Sequence, residues 1–260
     1  MAEAKVLVAS PTYDGMRYCK EKFLARMKEL TYPNHDILIV DNSENNDFFD
    51  ELNKESGMIL MKDYCKEKKG ILRIISSRNM IIDYALKNNY DYILMMDFDV
   101  IPPKNVIEAL LVCGKDIVSG LYSTYFMTDG KLKVLPVAFM PLTVEEFEEV
   151  RQKSKLPESV KSHLDLRRHM LPEEMESGKL LEVLYPSAGC MLISRKVFEN
   201  EKVRYGLLDV DAITSDDIYF ITKAREAGFQ SFCFTRVKCS HLVSGKYKKN
   251  SEGNLEHPAY

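Results

Sequence analysis

From Lys5 onward, short apolar runs bounded by turn residues alternate with longer stretches whose apolar residues recur at helical spacing. This is the pattern of a doubly wound α/β unit. It predicts strands at Lys5 to Ala9, Asp36 to Val40, Arg73 to Ile75, Tyr92 to Met96 and Asp116 to Leu121, and helices over Met16 to Leu30 and Ser77 to Lys87. In the second helix Ile81, Tyr84 and Ala85 share a face, and Ser76 or Ser77 can cap the start. Past Leu121 the pattern changes: an Asp129-Gly130 turn signal between strand-type runs predicts a hairpin, and hence a mixed sheet.

The stretch from Pro141 to Lys179 is densely charged and broken by Pro157 and Pro172, so it is expected as a helical insertion or mobile flap. Strands are predicted again at Leu181 to Tyr185 and Cys190 to Ile193, around Pro186-Ser187-Ala188-Gly189. A helix is expected from Asp216 to Ala227, stopped by Gly228.

Composition narrows the classes. A chain of 260 residues with 45% hydrophobic and 29% charged residues has the ordinary globular mix, which excludes disordered and fibrous classes. The formal net charge of -3 gives no electrostatic reason for a nucleic-acid partner. No apolar stretch is long enough for a signal peptide or a membrane span, so a cytoplasmic location is expected. The six cysteines form no C-x-x-C pair and are expected as reduced thiols. Met95 and Met96 read as core.

Open parallel sheets bind ligands at the carboxyl ends of their strands. Those ends carry Pro11-Thr12-Tyr13, Asp41-Asn42 and Asp97-Phe98-Asp99. The last is the strongest feature, because a long apolar strand delivers two carboxylates one residue apart. Strand alternation would set Asp97 and Asp99 on one side, where they could reach a divalent cation bridging a diphosphate. The bland alternative is that the pair ends a strand and caps the next helix. Asp209-Val210-Asp211 lacks such a strand and reads as loop.

Taken together, these segments resemble a glycosyltransferase of the GT-A fold, closest in style to family 2 and related families. Pro11-Thr12-Tyr13 is similar to the family's nucleotide-binding loop, and Ile37 to Ser43 to its second strand, whose terminal Asp, here Asp41, contacts the base. Arg78-Asn79 matches the helix before the D-x-D strand. Ser187 to Phe198 resembles the acceptor-side strand, with Gly189 where backbone comes close to the sugar or acceptor. Ser215-Asp216-Asp217 resembles the acidic motif opening the last main helix, usually Glu-Asp in the family.

The resemblance implies a single α/β catalytic domain over 1–260, a GT-A mixed sheet flanked by helices. Its nucleotide-binding half would span 1–121 and its acceptor-side half 122–260, with the charged helical insertion at about 141–179 and a tail at about 242–260. It implies a nucleotide-diphosphate sugar donor carrying UDP or GDP, Mn2+ or Mg2+, and a hydroxyl acceptor. Asp97, Asp99 and a C-terminal histidine, His241, would hold the metal, with the Lys246 to Lys249 cluster near the phosphates. Arg78 could fork onto the diphosphate. Asp217, beside Asp216, would be the general base of a displacement with inversion. Thr214 and Asp217 also fit a capping box, which leaves a purely structural reading of Asp217 open.

Two rivals remain open at this level. The Asp97-Phe98-Asp99-Val100 run also fits the nucleophile motif of a haloacid-dehalogenase-like phosphatase, although here it lies mid-chain and precedes Ile101-Pro102-Pro103. A non-catalytic GT-A-like sugar-binding module is the other. A sugar nucleotidylyltransferase fits less well, since the Gly-rich loop that would cradle a triphosphate is absent.

Overall fold

The computed structural model describes residues 3–128, 130–158, 160–208 and 215–242, plus the backbone of a short strand pair at 248–249 and 255–256. Its centre is an eight-stranded sheet. In chain order the strands are β1 (Val6–Thr12), β2 (His35–Asp41), β3 (Ile59–Lys62), β4 (Tyr92–Met96), β5 (Ile117–Leu121), β6 (Leu180–Val183), β7 (Cys190–Ser194) and β8 (Ser231–Lys238). Across the sheet they lie in the order β6-β8-β5-β7-β4-β1-β2-β3. β6 and β7 run against the others, so a parallel half is joined to a mixed half.

β1, β4 and β7 are buried almost throughout, which their unbroken apolar runs require of central strands with both faces covered. One face packs Phe23, Phe48, Leu94, Phe98 and Leu110; the other packs Ile81, Ile82, Ile93, Phe198 and Phe220. The result is a mixed α/β sheet between helical layers.

Three expectations differ from what the structure shows. Arg73 to Ile75 is not a strand: it lies inside a helix spanning Gly70–Lys87. A short apolar run fits either period, and here the flanking length and the buried spacing Ser77, Arg78, Ile81, Ile82, Ala85 favour the helix. Ser76 and Ser77 are therefore not caps; their hydroxyls donate to the Asp63 carboxylate at 3.1 and 2.8 Å. The strand beyond β2 is instead β3, a four-residue, half-buried edge too short to announce itself. The expected Met16 to Leu30 helix opens as a 3-10 segment at Asp14–Cys19 and continues as an α-helix at Lys20–Lys28.

The hairpin is present, Ser123–Thr128 against Lys131–Pro136, with Gly130 in the left-handed region at φ 72° that its tight turn requires. In the charged insertion, helix Val144–Lys153 starts on a Thr143 capping box, and Arg167–His169 pairs with Phe139–Pro141. Arg168 holds the insertion together, bonding Glu146 at 3.2 Å and Glu174 at 2.7 and 2.8 Å.

Candidate active site

One edge of the sheet gathers the chemistry: the carboxyl ends of β1, β4, β5 and β8 together with Gly189, which leads into the reversed β7. β4 ends at Met96, and the Asp97 N–H continues the ladder to the Gly189 carbonyl at 3.0 Å. The backbone then turns, with the Val100 N–H donating to the Asp97 carbonyl at 3.0 Å. Asp97 and Asp99 thus reach one cavity through a tight turn, not through the strand alternation expected. Phe98 anchors that turn: it is buried, with its ring stacked 4.3 Å from Phe23 and edge-on to Phe48 at 6.3 Å.

The cavity holds about 260 Å³ and is lined among others by Pro11, Thr12, Tyr13, Arg78, Asp97, Asp99, Tyr122, Asp216 and His241. Buried Arg78 spans two carboxylates, Asp216 at 2.8 Å and Asp97 at 2.7 Å. Burial works against its charge, and Asp216 and Asp97 outweigh that, so the guanidinium stays protonated. Its fork is closed on these acids, one following β4 and the other opening helix Asp216–Glu226, and not open to a diphosphate.

Asp217 has no such partner. Burial pushes its carboxyl up to about 6, and Asp216 adds to the push while Arg78 opposes it. One of its oxygens accepts the Ile218 N–H at 2.8 Å, and the Ser215 hydroxyl contacts the same oxygen. Ser215, at the N-cap position, makes no side-chain capping bond. Burial also raises Asp97, with Arg78 opposing and Asp99 reinforcing.

On the far wall, His241 Nε2 lies 3.3 Å from Asp99 Oδ2, and the Tyr18 hydroxyl donates to the same oxygen at 3.1 Å. The position of His241 follows from pairing of Ser240–His241 with Val100–Ile101, which lays the C-terminal strand beside the acidic turn. Burial opposes a charged imidazole, and the Asp99 carboxylate more than offsets it, raising His241. The oxygen and imidazole donors of Asp99 and His241 suit Mn2+ or Mg2+. No group of three or more His, Cys, Asp or Glu side chains able to hold a metal occurs among the described residues. The Thr12 hydroxyl, buried on the same cavity, has no protein partner among the described residues.

No protein-family model and no curated protein sequence matches this chain. Solved structures do. The mannosyltransferase PcManGT from Pyrobaculum calidifontis, in complex with GDP-Man and Mn2+, covers 95% of the chain at TM-score 0.55 and 15% identity. S. aureus TarS 1-349 in complex with UDP-GlcNAc covers 92% at TM-score 0.54 and 12% identity. The fold is that of GT-A-like glycosyltransferases. The chain spans 59% of the length of each of these two proteins. A197 from STIV overlays 98% of this chain and 95% of its own at TM-score 0.45 and 13% identity.

Within this glycosyltransferase fold, four of the expected residues stand off the cavity wall. Asp41 sits beneath the site, its side chain 0% exposed and paired with Lys62 at 2.7 Å, while Ser43 donates to its other oxygen. Asn79 points away: its amide brackets the backbone of Tyr205, donating to the carbonyl and accepting the N–H at 3.0 Å each. Gly189 lies behind Asp97 and Tyr122. Asp217 follows the lining residue Asp216. Thr214, the Asp209-Val210-Asp211 loop and the side chains of Lys246 to Lys249 are outside the described residues. Sequence reasoning missed Tyr122, Tyr18 and Lys62, each of which is recognisable only from its partner. All six cysteines are free thiols, and among the described residues no helix is long and apolar enough to cross a membrane.

Proposed function

We propose that this chain transfers a sugar from a nucleotide-diphosphate sugar to a hydroxyl acceptor with inversion. The observation that carries the reading is that an acid near neutrality, Asp217, stands beside the Asp216–Arg78–Asp97 bridge on the edge that also holds Asp99 and His241. That is one base beside an Arg-braced pair of acids and a carboxylate–imidazole pair whose donors suit a cation. In the reaction the acceptor oxygen bonds the anomeric carbon, the bond from that carbon to the phosphate oxygen breaks, and the nucleoside diphosphate leaves with the electron pair. Asp217 takes the acceptor's proton; a base with a value near 6 is ionised at neutral pH yet still basic enough to act.

Asp99 and His241, with Asp97 adjacent, would hold Mn2+ or Mg2+, which when bound neutralises charge on the leaving diphosphate. Pro11, Thr12 and Tyr13 would take the nucleoside, with Thr12 offering its unpartnered hydroxyl. Arg78 acts as a positioning residue that orients Asp97 and Asp216. Asp41 and Asn79 support the floor of the donor site, through Lys62 and Tyr205 respectively. Residues 1–121 form the nucleotide-binding half and 122–260 the acceptor-side half, with the 141–179 insertion bordering the acceptor.

The donors bound by the two fold neighbours, GDP-mannose and UDP-GlcNAc, are the first probes, together with GDP and UDP. A ligand bound only by the native state raises the melting temperature. The expected result is a shift with one nucleotide series that needs Mn2+. No shift with either series, with or without metal, would overturn the reading.

A further inference from the structure

We infer that Tyr122 touches the donor, its phenol donating a hydrogen bond to a hydroxyl oxygen of the transferring sugar; this rests on the glycosyl-transfer reading above. Tyr122 follows β5 directly, is buried, and lines the cavity beside Asp97 and Asp99. Its ring lies 5.3 Å from that of His241. The phenol oxygen accepts the Gly189 N–H at 3.1 Å, which fixes its acceptor side. No described residue accepts the phenol's own proton. A buried hydroxyl with an unused donor carries a desolvation cost that a ligand oxygen would remove.

Gly189 shows that this arrangement is built. A Cβ there would stand 2.6 Å from the Tyr122 oxygen and 2.6 Å from a carboxylate oxygen of Asp97. Only a bare backbone lets hydroxyl and carboxylate sit side by side at this edge. A phosphate oxygen placed against Tyr122 could accept its proton but has none to give the neighbouring Asp97 carboxylate, whereas a neutral sugar hydroxyl has both functions. Such a hydroxyl can also donate to Asp97 while accepting from Tyr122. The phenol is therefore assigned to the sugar and not to the diphosphate.

The test is Tyr122→Phe, which keeps the ring and its packing on His241. Affinities for UDP, GDP, UDP-GlcNAc and GDP-mannose would be measured calorimetrically with Mn2+ present. The nucleoside diphosphate should bind the variant within about twofold of wild type, while the sugar donor weakens roughly five- to tenfold, the size of one hydrogen bond. Equal weakening of both ligands, as a purely structural role predicts, or no weakening of either, overturns the assignment. Should the variant fail to fold, single-deoxy analogues of the sugar decide with wild-type protein: one position should lose a similar factor, and uniform binding of all analogues overturns the inference. Wild-type protein that binds none of the four ligands overturns the transferase reading itself, a failure distinct from that of Tyr122 alone.

Discussion

Asp99 and Asp217 both sit at element ends, yet they should fail differently when replaced. Asp99 contacts His241 and Tyr18 across the cavity and contributes nothing to the apolar core. Asp99→Ala should therefore fold normally, lose the Mn2+-dependent part of any nucleotide-induced melting shift, and drop kcat by about 10²–10³. A retained metal-dependent shift would exclude Asp99 from the metal site. Asp217→Asn should keep donor affinity and lose roughly 10²–10⁴ in kcat, as expected for a group needed mainly in the transition state.

The raised value of Asp217 gives both effects a pH signature. With its carboxyl at about 6, wild-type turnover should fall as pH drops through 6 while the base becomes protonated. For stability the sign is opposite. The folded value lies above the ordinary value of 3.8, so the native state binds the proton more tightly than the unfolded chain. That contribution is fully present below pH 3.8 and is lost as pH rises through 6. Asp217→Asn removes the charged form, so its melting temperature should gain on wild type above pH 6 and not below pH 4. Parallel melting curves across that range would mean that the acid is not perturbed.

Among the elements, the 141–179 insertion is held mainly by polar ties, with Phe147 and Met170 its buried hydrophobic side chains among the described residues. Its helix Val144–Lys153 buries only Phe147, and its ion pairs centre on Arg168. Such segments open at low free-energy cost. Hydrogen exchange over 144–153 should be faster than over Gly70–Lys87, and should slow when nucleotide and Mn2+ bind if the insertion orders over the donor. Arg168→Ala, which leaves Glu146 and Glu174 unpaired, should accelerate exchange there and leave the sheet unaffected. Strong protection of the insertion with and without ligand would remove the flap role.

For the molecule as a whole, stability resides in the centre of the sheet, away from the site. Leu94 on β4 is fully buried and pairs in register with Val8 on β1 and Leu192 on β7. Leu94→Ala should cost about 2–5 kcal/mol, a fall in melting temperature on the order of 10 °C. Ligand affinity of the protein that remains folded should hardly change, because the cavity is built from strand ends. A large loss of affinity at unchanged melting temperature would contradict this separation of core from site.

What the sequence by itself determined was whatever depends on neighbours along the chain. The unbroken apolar runs of β1, β4 and β7 mark central strands, and the polar residues that end β1 and β4, Thr12 and Asp97, mark the edge that carries the cavity. The acidic opening of helix Asp216–Glu226 was equally local. Arg73 to Ile75 was not, since two isoleucines fit either period until packing of the whole Gly70–Lys87 helix chose between them. Only the tertiary structure decided the partners. Arg78 meets Asp216 across 138 residues of chain, Tyr122 meets Gly189 across 67, and Lys62 neutralises Asp41 from the neighbouring strand. Each of these contacts is made by strand order and crossover, which bring together residues whose own surroundings in sequence carry no sign of one another. A carboxylate can be located from the run that precedes it, but whether it faces a ligand, a guanidinium or a lysine depends on which strand lies beside it.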